Sequence, residues 1–156
     1  MIEIVKMNDD EYEAYREKEI KFYAQMKIKT EKWEPKNSYF RAEQEISRFL
    51  PKSLSDSDTS FLKIIDQKTG NHVGIVCYGP TPNRSTTGCY IYDIRIFDEY
   101  QRKGYGQMVF TKLEEEFRKK GIKKIILDVD IHNKTAFSFY QKMGYNITYY
   151  RMEKAL

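Results

Sequence analysis

Three strand-like runs follow one another between residues 61 and 96, and no other feature constrains the chain as much. Phe61-Leu62-Lys63-Ile64-Ile65 leads through the turn residues Lys68-Thr69-Gly70-Asn71 into His72-Val73-Gly74-Ile75-Val76-Cys77-Tyr78, the pattern of a β-hairpin. A Gly/Pro/Asn-rich connection from Gly79 to Gly88 then leads into Cys89-Tyr90-Ile91-Tyr92-Asp93-Ile94-Arg95-Ile96. Runs joined this closely pair antiparallel, because a parallel pair needs a crossover of a dozen or more residues, usually a helix. The middle of the chain is therefore a meander.

Helical and further strand patterns surround it. Residues 2–7 alternate as a strand, and from about Asp10 the set Tyr12, Tyr15, Phe22, Tyr23 and Met26 falls mostly on one helical face. A break at Trp33-Glu34-Pro35 precedes a second helix carrying Ala42, Ile46, Phe49 and Leu50, which Pro51 ends. After the charged loop Asp98 to Lys103, a helix over 104–120 turns Tyr105, Met108, Val109, Leu113 and Phe117 inward, with Gly121 as C-cap. Lys123 to Asp130 reads as the most buried strand, Lys134 to Lys142 as a short helix, and 145–152 as a last alternating strand. The predicted order is β-αα-β-β-β-α-β-α-β, an α/β fold with a mixed, mostly antiparallel sheet flanked by helices. With 156 residues, one domain spanning 1–156 is expected.

Composition limits the function classes. Apolar residues make up 40% and aromatics 15%, enough for a core and too much for a disordered chain. The 27 Lys+Arg and 23 Asp+Glu give a formal +4 spread along the chain, so the clustered basic stripe of a nucleic-acid binder is missing. Cys77 and Cys89 have no metal-ligand spacing and read as core thiols, with no metal expected. Met1 to Lys6 runs straight into Asn8-Asp9-Asp10-Glu11, which is no signal-peptide pattern, and no apolar run reaches membrane length. A soluble, reducing, cytoplasmic location is expected, with neither nucleic acid nor membrane as partner.

Chemistry concentrates in two segments. Gln101-Arg102-Lys103-Gly104-Tyr105-Gly106 lies between a strand end and a helix start. Its glycines let the backbone turn tightly and approach a ligand, and the first helical turn offers unpaired N–H groups at the positive end of the dipole. Such a site binds phosphate oxygens. By itself the GxG pair is weak, and a dinucleotide loop remains an alternative: Asp128 lies at about the right distance for a ribose partner. Against it, the charged loop separates Gly104 from the strand, and Val109 stands in the place of the third Gly.

The second segment is Asn133-x-x-Ala136-x-x-x-Tyr140-x-x-x-Gly144-Tyr145. Together the two resemble motifs A and B of the GCN5-related N-acetyltransferases, the GNAT superfamily, with Asn133 27 positions after Gly106. The resemblance covers about Tyr90 to Tyr145, and Trp33-Glu34-Pro35 with Leu50-Pro51 is similar to a bacterial branch of the family. It implies a GNAT-like fold and direct transfer of an acetyl group from acetyl-CoA, as co-substrate, to a primary amine of a small molecule or peptide. It further implies that Ile94, Arg95 and Ile96 pair with the pantetheine arm and that the amides of Arg102 through Gln107, after Gln101, hold the pyrophosphate. Asn133, Ala136 and Tyr140 complete the cofactor contacts. A backbone N–H near Ile94 would polarise the acetyl carbonyl.

The resemblance makes Tyr140 the proton donor to the departing thiolate, against plain core packing in a chain with 13 tyrosines. Asp93 is the candidate base or anchor for a cationic acceptor, with a structural, hydrogen-bonded Asp as the other reading. Strict alternation puts it on the face opposite Tyr90 and Tyr92, unless a bulge changes the facing. Tyr90 stands where some relatives carry a catalytic Glu. His72 and His132 read as structural, and Asp128 and Asp130 as caps of the strand-to-helix loop. Lys103, Lys134 and Lys142 are either 3'-phosphate contacts or a solvated face. A non-catalytic acyl-CoA-binding regulator is the reading from another class. The aromatic 145–150 edge would serve a homodimer.

Overall fold

The computed structural model describes residues 1–83 and 87–156. Part of the Gly79–Gly88 connection, residues 84–86, lies outside them. The chain divides into two compact units, Met1–Ile126 and Leu127–Leu156.

In the first unit, β1 (Ile2–Lys6) precedes α1 (Asp9–Glu31) and α2 (Pro35–Ile46), and β2 (Ser60–Asp66), β3 (His72–Pro80) and β4 (Gly88–Ile96) follow. α3 (Tyr105–Lys119) then leads to β5 (Lys124–Leu127). The sheet order is β1-β2-β3-β4-β5, with the first four strands antiparallel in succession. The meander expected from the short connections is present. Among the described residues no helix is long and apolar enough to cross a membrane.

Local signals place the helices. Asn8 and Glu11 close a reciprocal capping box at the start of α1, each backbone N–H reaching the other's side chain at 2.9 Å. Pro35 opens α2, where its fixed φ suits the first helical position. α1 buries the row Tyr12, Ile20 and Ala24, while Phe22 and Met26 are 62% and 40% exposed. The expected face is thus corrected: residues four apart line up against the sheet and α2, and positions 22 and 26 fall well round the helix. Phe49 is also exposed, because α2 ends at Ile46 and Leu50 takes the core place.

Alternate residues of the sheet meet different helices. Phe61, Ile75 and Cys77 pack with Tyr12 and Leu50 on the α1 side, whereas the Tyr78 ring meets Phe117 of α3 edge-on at 4.8 Å. α3 buries Val109, Phe110, Leu113 and Phe117 to 1% exposure or less. Phe110 was absent from the expected inward set, and Tyr105 and Met108 are only partly covered. Phe117→Ala is expected to cost about 3 to 5 kcal/mol by urea unfolding, and a loss below about 1 kcal/mol would show that this contact is not part of the core.

The second unit holds α4 (Lys134–Lys142). Asn133 caps it, its side chain accepting the Ala136 N–H at 3.0 Å. At the other end Gly144 takes φ 91°, the left-handed value glycine tolerates. There the Gly144 N–H meets the Gln141 carbonyl and the Tyr145 N–H meets the Tyr140 carbonyl, both at 3.0 Å, a Schellman cap. Two expectations change. The strand expected over 123–130 is the four-residue β5, partly exposed, because Asp130 accepts the His132 N–H at 2.7 Å and turns the chain. The stretch 145–152 carries no strand assignment: alternation sets which face a residue takes but supplies no ladder partner.

Candidate functional site

The loop after β4 is built as a backbone cradle. Following the short 3-10 turn Asp98–Tyr100, the Gln101 amide donates to the Ile96 carbonyl at 3.0 Å and to Asp98 Oδ1 at 2.9 Å. Lys103 Nζ donates to the Glu99 carbonyl at 2.8 Å and lies over the Tyr100 ring. These side chains hold the loop's shape. Arg102 has φ 63° and Gly104 φ 82°, so the chain turns sharply through two left-handed residues into α3. A Cβ on Gly104 would meet nothing within 4 Å, and no side chain caps the helix there. The first-turn amides, those of Tyr105, Gly106 and Gln107, have no intrahelical acceptor. The Tyr105 hydroxyl donates to Asp66 Oδ2 at 2.7 Å and fixes this turn to the end of β2. That bond, with the Lys68 N–H, holds the Asp66 carboxyl below its ordinary range.

β4 leads into this loop, and its register shifts once. Cys77 opposes Asp93 while Tyr78 opposes Ile91, so Tyr92 is the extra residue of a bulge. Cross-strand partners share a face. Ile91 therefore shares that of Tyr78 and α3, and Asp93 and Arg95 share that of Cys77, Ile75 and α1. The bulge moves Asp93 to the face strict alternation assigns to Tyr90; the Tyr90 and Tyr92 rings lie tilted at 57° with centroids 4.8 Å apart. β5 starts level with the beginning of β4: the Lys123 N–H donates to the Thr87 carbonyl at 2.8 Å, and Gly88 lies against Lys124 and Ile126. At about 3.3 Å per residue, four-residue β5 spans less than half of nine-residue β4.

Asp93 is engaged on the α1 side. Tyr15 donates its hydroxyl to Asp93 Oδ2 at 3.0 Å, and Arg95 Nη2 lies 2.6 Å from the same oxygen and 2.5 Å from Glu19 Oε1. The Cys77 thiol approaches the Tyr15 oxygen at 3.7 Å. Burial pushes the Cys77 thiol up to about 12 and raises the Tyr15 phenol as well, so both are neutral. Cys77 and Cys89 are buried free thiols. The sequence did not point to Tyr15 or Glu19, which lie 78 and 76 residues from their partners. Their i, i+4 spacing on one face of α1 was the available signal. The Arg95 side chain belongs to this cluster, so only its backbone faces the strand edge.

Of the remaining candidates, His72 Nε2 lies 2.9 Å from the Gly74 carbonyl and its ring meets Phe97 edge-on at 5.0 Å. In the second unit, Tyr140 packs against Phe139 and Tyr145 with centroids 5.6 and 5.7 Å away. Asn133 is the helix cap there. Asp130 accepts the His132 N–H in the loop after β5, as expected of a loop cap, and Asp128 instead accepts from Tyr149 at 3.5 Å.

The Acetyltransferase (GNAT) family model matches residues 10–145. The chain belongs to the GNAT family. YdgE, an uncharacterized N-acetyltransferase of Bacillus subtilis (strain 168), is 29% identical over 96% of this chain and 95% of its own. YycN of the same organism is 28% identical over 99% of both chains. The crystal structure of YycN superposes with a TM-score of 0.81 at 27% identity, covering 100% of this chain and 99% of that one. A shorter match, 30% identical over 56 residues and 36% of this GNAT chain, is to the ribosomal protein bS18-alanine N-acetyltransferase of Escherichia coli (strain K12), 38% of which it covers.

Proposed function

We propose that this GNAT protein transfers the acetyl group of acetyl-CoA directly to a primary amine, and that residues 1–156 act as one domain, a reading supported by the family match over 10–145. The observation that carries it is the turn at Gly104: a left-handed glycine with open space at its Cβ position, followed at once by the first-turn amides of a 15-residue helix. That turn suits a pyrophosphate, with the backbone of Ile94 to Ile96 beyond β5 as the edge for the pantetheine arm. In the reaction the amine nitrogen bonds to the acetyl carbon and the carbon–sulfur bond breaks. Tyr140 supplies a proton to the departing thiolate, and Asp93 takes one from the amine or anchors its cation. The acceptor is either a small molecule or a peptide.

The test is a panel of polyamines, amino acids, aminoglycosides and an N-terminal alanine peptide, read by release of free coenzyme A. Binding of acetyl-CoA with no release on any amine would favour a non-catalytic acyl-CoA-binding role instead.

Asp93→Asn is the accompanying prediction. Acetyl-CoA affinity should stay unchanged, because the cofactor meets only the strand backbone beside it, while turnover falls and the rise of rate with pH moves. A stability loss of about 1 to 3 kcal/mol with an unaltered pH profile would make Asp93 a structural acid.

A further inference from the structure

One nitrogen of Arg95 serves two carboxylates. Arg95 Nη2 lies 2.6 Å from Asp93 Oδ2 and 2.5 Å from Glu19 Oε1, which puts the two oxygens no more than about 5 Å apart. The cluster is half sheltered, with side-chain exposures of 25% for Asp93, 18% for Glu19 and 43% for Arg95, so solvent screens its charges only in part. The Tyr15 hydroxyl of α1 also touches Asp93, and the thiol of Cys77, the β3 residue opposite Asp93, approaches that hydroxyl; both groups are neutral. Beyond them an open cleft of about 310 Å³ is lined by Tyr15, Glu19 and Arg95, by the Glu11–Lys63 ion pair and by Lys18 and His72.

The charges in contact are thus two negative and one positive. Paired with Asp93 alone, the guanidinium would neutralise it fully and leave a weak base with little hold on a cationic amine. Shared with Glu19, the same guanidinium fixes Asp93 in place and leaves the group one net negative charge beside the cleft. We infer that Glu19 is a positioning residue for acetyl transfer, acting through Arg95 to set the orientation and basicity of Asp93. This rests on the reading of Asp93 as base or anchor.

The two partners act on Asp93 with opposite sign. Removing the Glu19 charge leaves Arg95 to Asp93 alone, which favours the carboxylate and lowers its titration midpoint. Removing the Arg95 charge leaves two carboxylates facing each other, which raises it. Packing roles alone would not split the two in this way.

The full chain labelled with [4-13C]aspartate provides the readout, the Asp93 signal being the one lost in Asp93→Asn. Relative to the wild type, Glu19→Gln should move the midpoint down by about one pH unit. Arg95→Gln should move it up by a similar amount and Arg95→Lys should restore it in large part. The acid limb of turnover against pH, measured with an amine that scores in the panel, should move the same way. Midpoints that stay put, or that move in one direction in both variants, overturn the inference while leaving Asp93 in the reaction if Asp93→Asn is slow. If Arg95→Gln does not fold, Glu19→Gln alone decides, since no downward move overturns it. Wild-type turnover in Asp93→Asn overturns both this role and the reading beneath it.

Discussion

Tyr140→Phe is expected to lower turnover by about ten- to a thousand-fold with acetyl-CoA affinity little changed. The size follows from what the variant removes. In the proposed reaction the thiolate that leaves when the carbon–sulfur bond breaks is stabilised by a proton or a hydrogen bond, which residue 140 can supply only through its phenolic hydroxyl. The ring and backbone contacts of Tyr140 survive. Its ring packs against Phe139 and Tyr145, contacts a phenylalanine keeps, and its carbonyl accepts the Tyr145 N–H at the helix end, which no side-chain change touches. A fall in turnover with the melting temperature held therefore reports chemistry. If packing is the residue's whole role, the variant turns over at the wild-type rate, and Tyr140 leaves the mechanism.

What the sequence disclosed depended on the range of the signal. The meander was legible because its turn residues sit between its strands, and the end of α3 was legible because Gly121 acts within a few residues; the α4 caps Asn133 and Gly144 are equally local but were read only as motif residues. The turn proposed for the pyrophosphate is equally local: Gly104 caps α3 and Gly106 lies in its first turn. Beyond that range the reading weakened. The bulge at Tyr92 is a property of the β3–β4 pairing, and alternation along one strand cannot reveal an extra residue that only the partner strand defines. Asp93 was picked out as an acid in an apolar strand, yet its face, its partner Tyr15 and the Arg95 bridge to Glu19 all depend on where α1 lies over the sheet. The same dependence explains why Phe22 and Met26 were placed inward. Large apolar side chains mark a helical face only roughly, and the row Tyr12, Ile20, Ala24 is fixed by what packs on it.

Gly104→Val should weaken acetyl-CoA binding by about ten- to a hundred-fold, or about 1.4 to 2.8 kcal/mol, and should cost less than that in folding relative to Gly104→Ala. Both substitutions place a side chain at φ 82° and so share a left-handed backbone penalty of about 1 to 2 kcal/mol. They differ in what they put into the space before the first turn of α3. A Cβ there meets nothing within 4 Å, so no neighbour obstructs it and what resists either residue is the backbone strain they share. If this space admits the phosphate oxygens to the amides of Tyr105, Gly106 and Gln107, two further methyl groups fill it, and charged oxygens are pushed beyond hydrogen-bond range of donors that have no other acceptor within the helix. The comparison of Val with Ala removes most of the shared backbone cost from both the folding and the binding measurements. Titration calorimetry with acetyl-CoA, beside thermal melts of the three proteins, gives the answer: a folded Val variant that binds as tightly as the wild type would show that the pyrophosphate lies away from this turn.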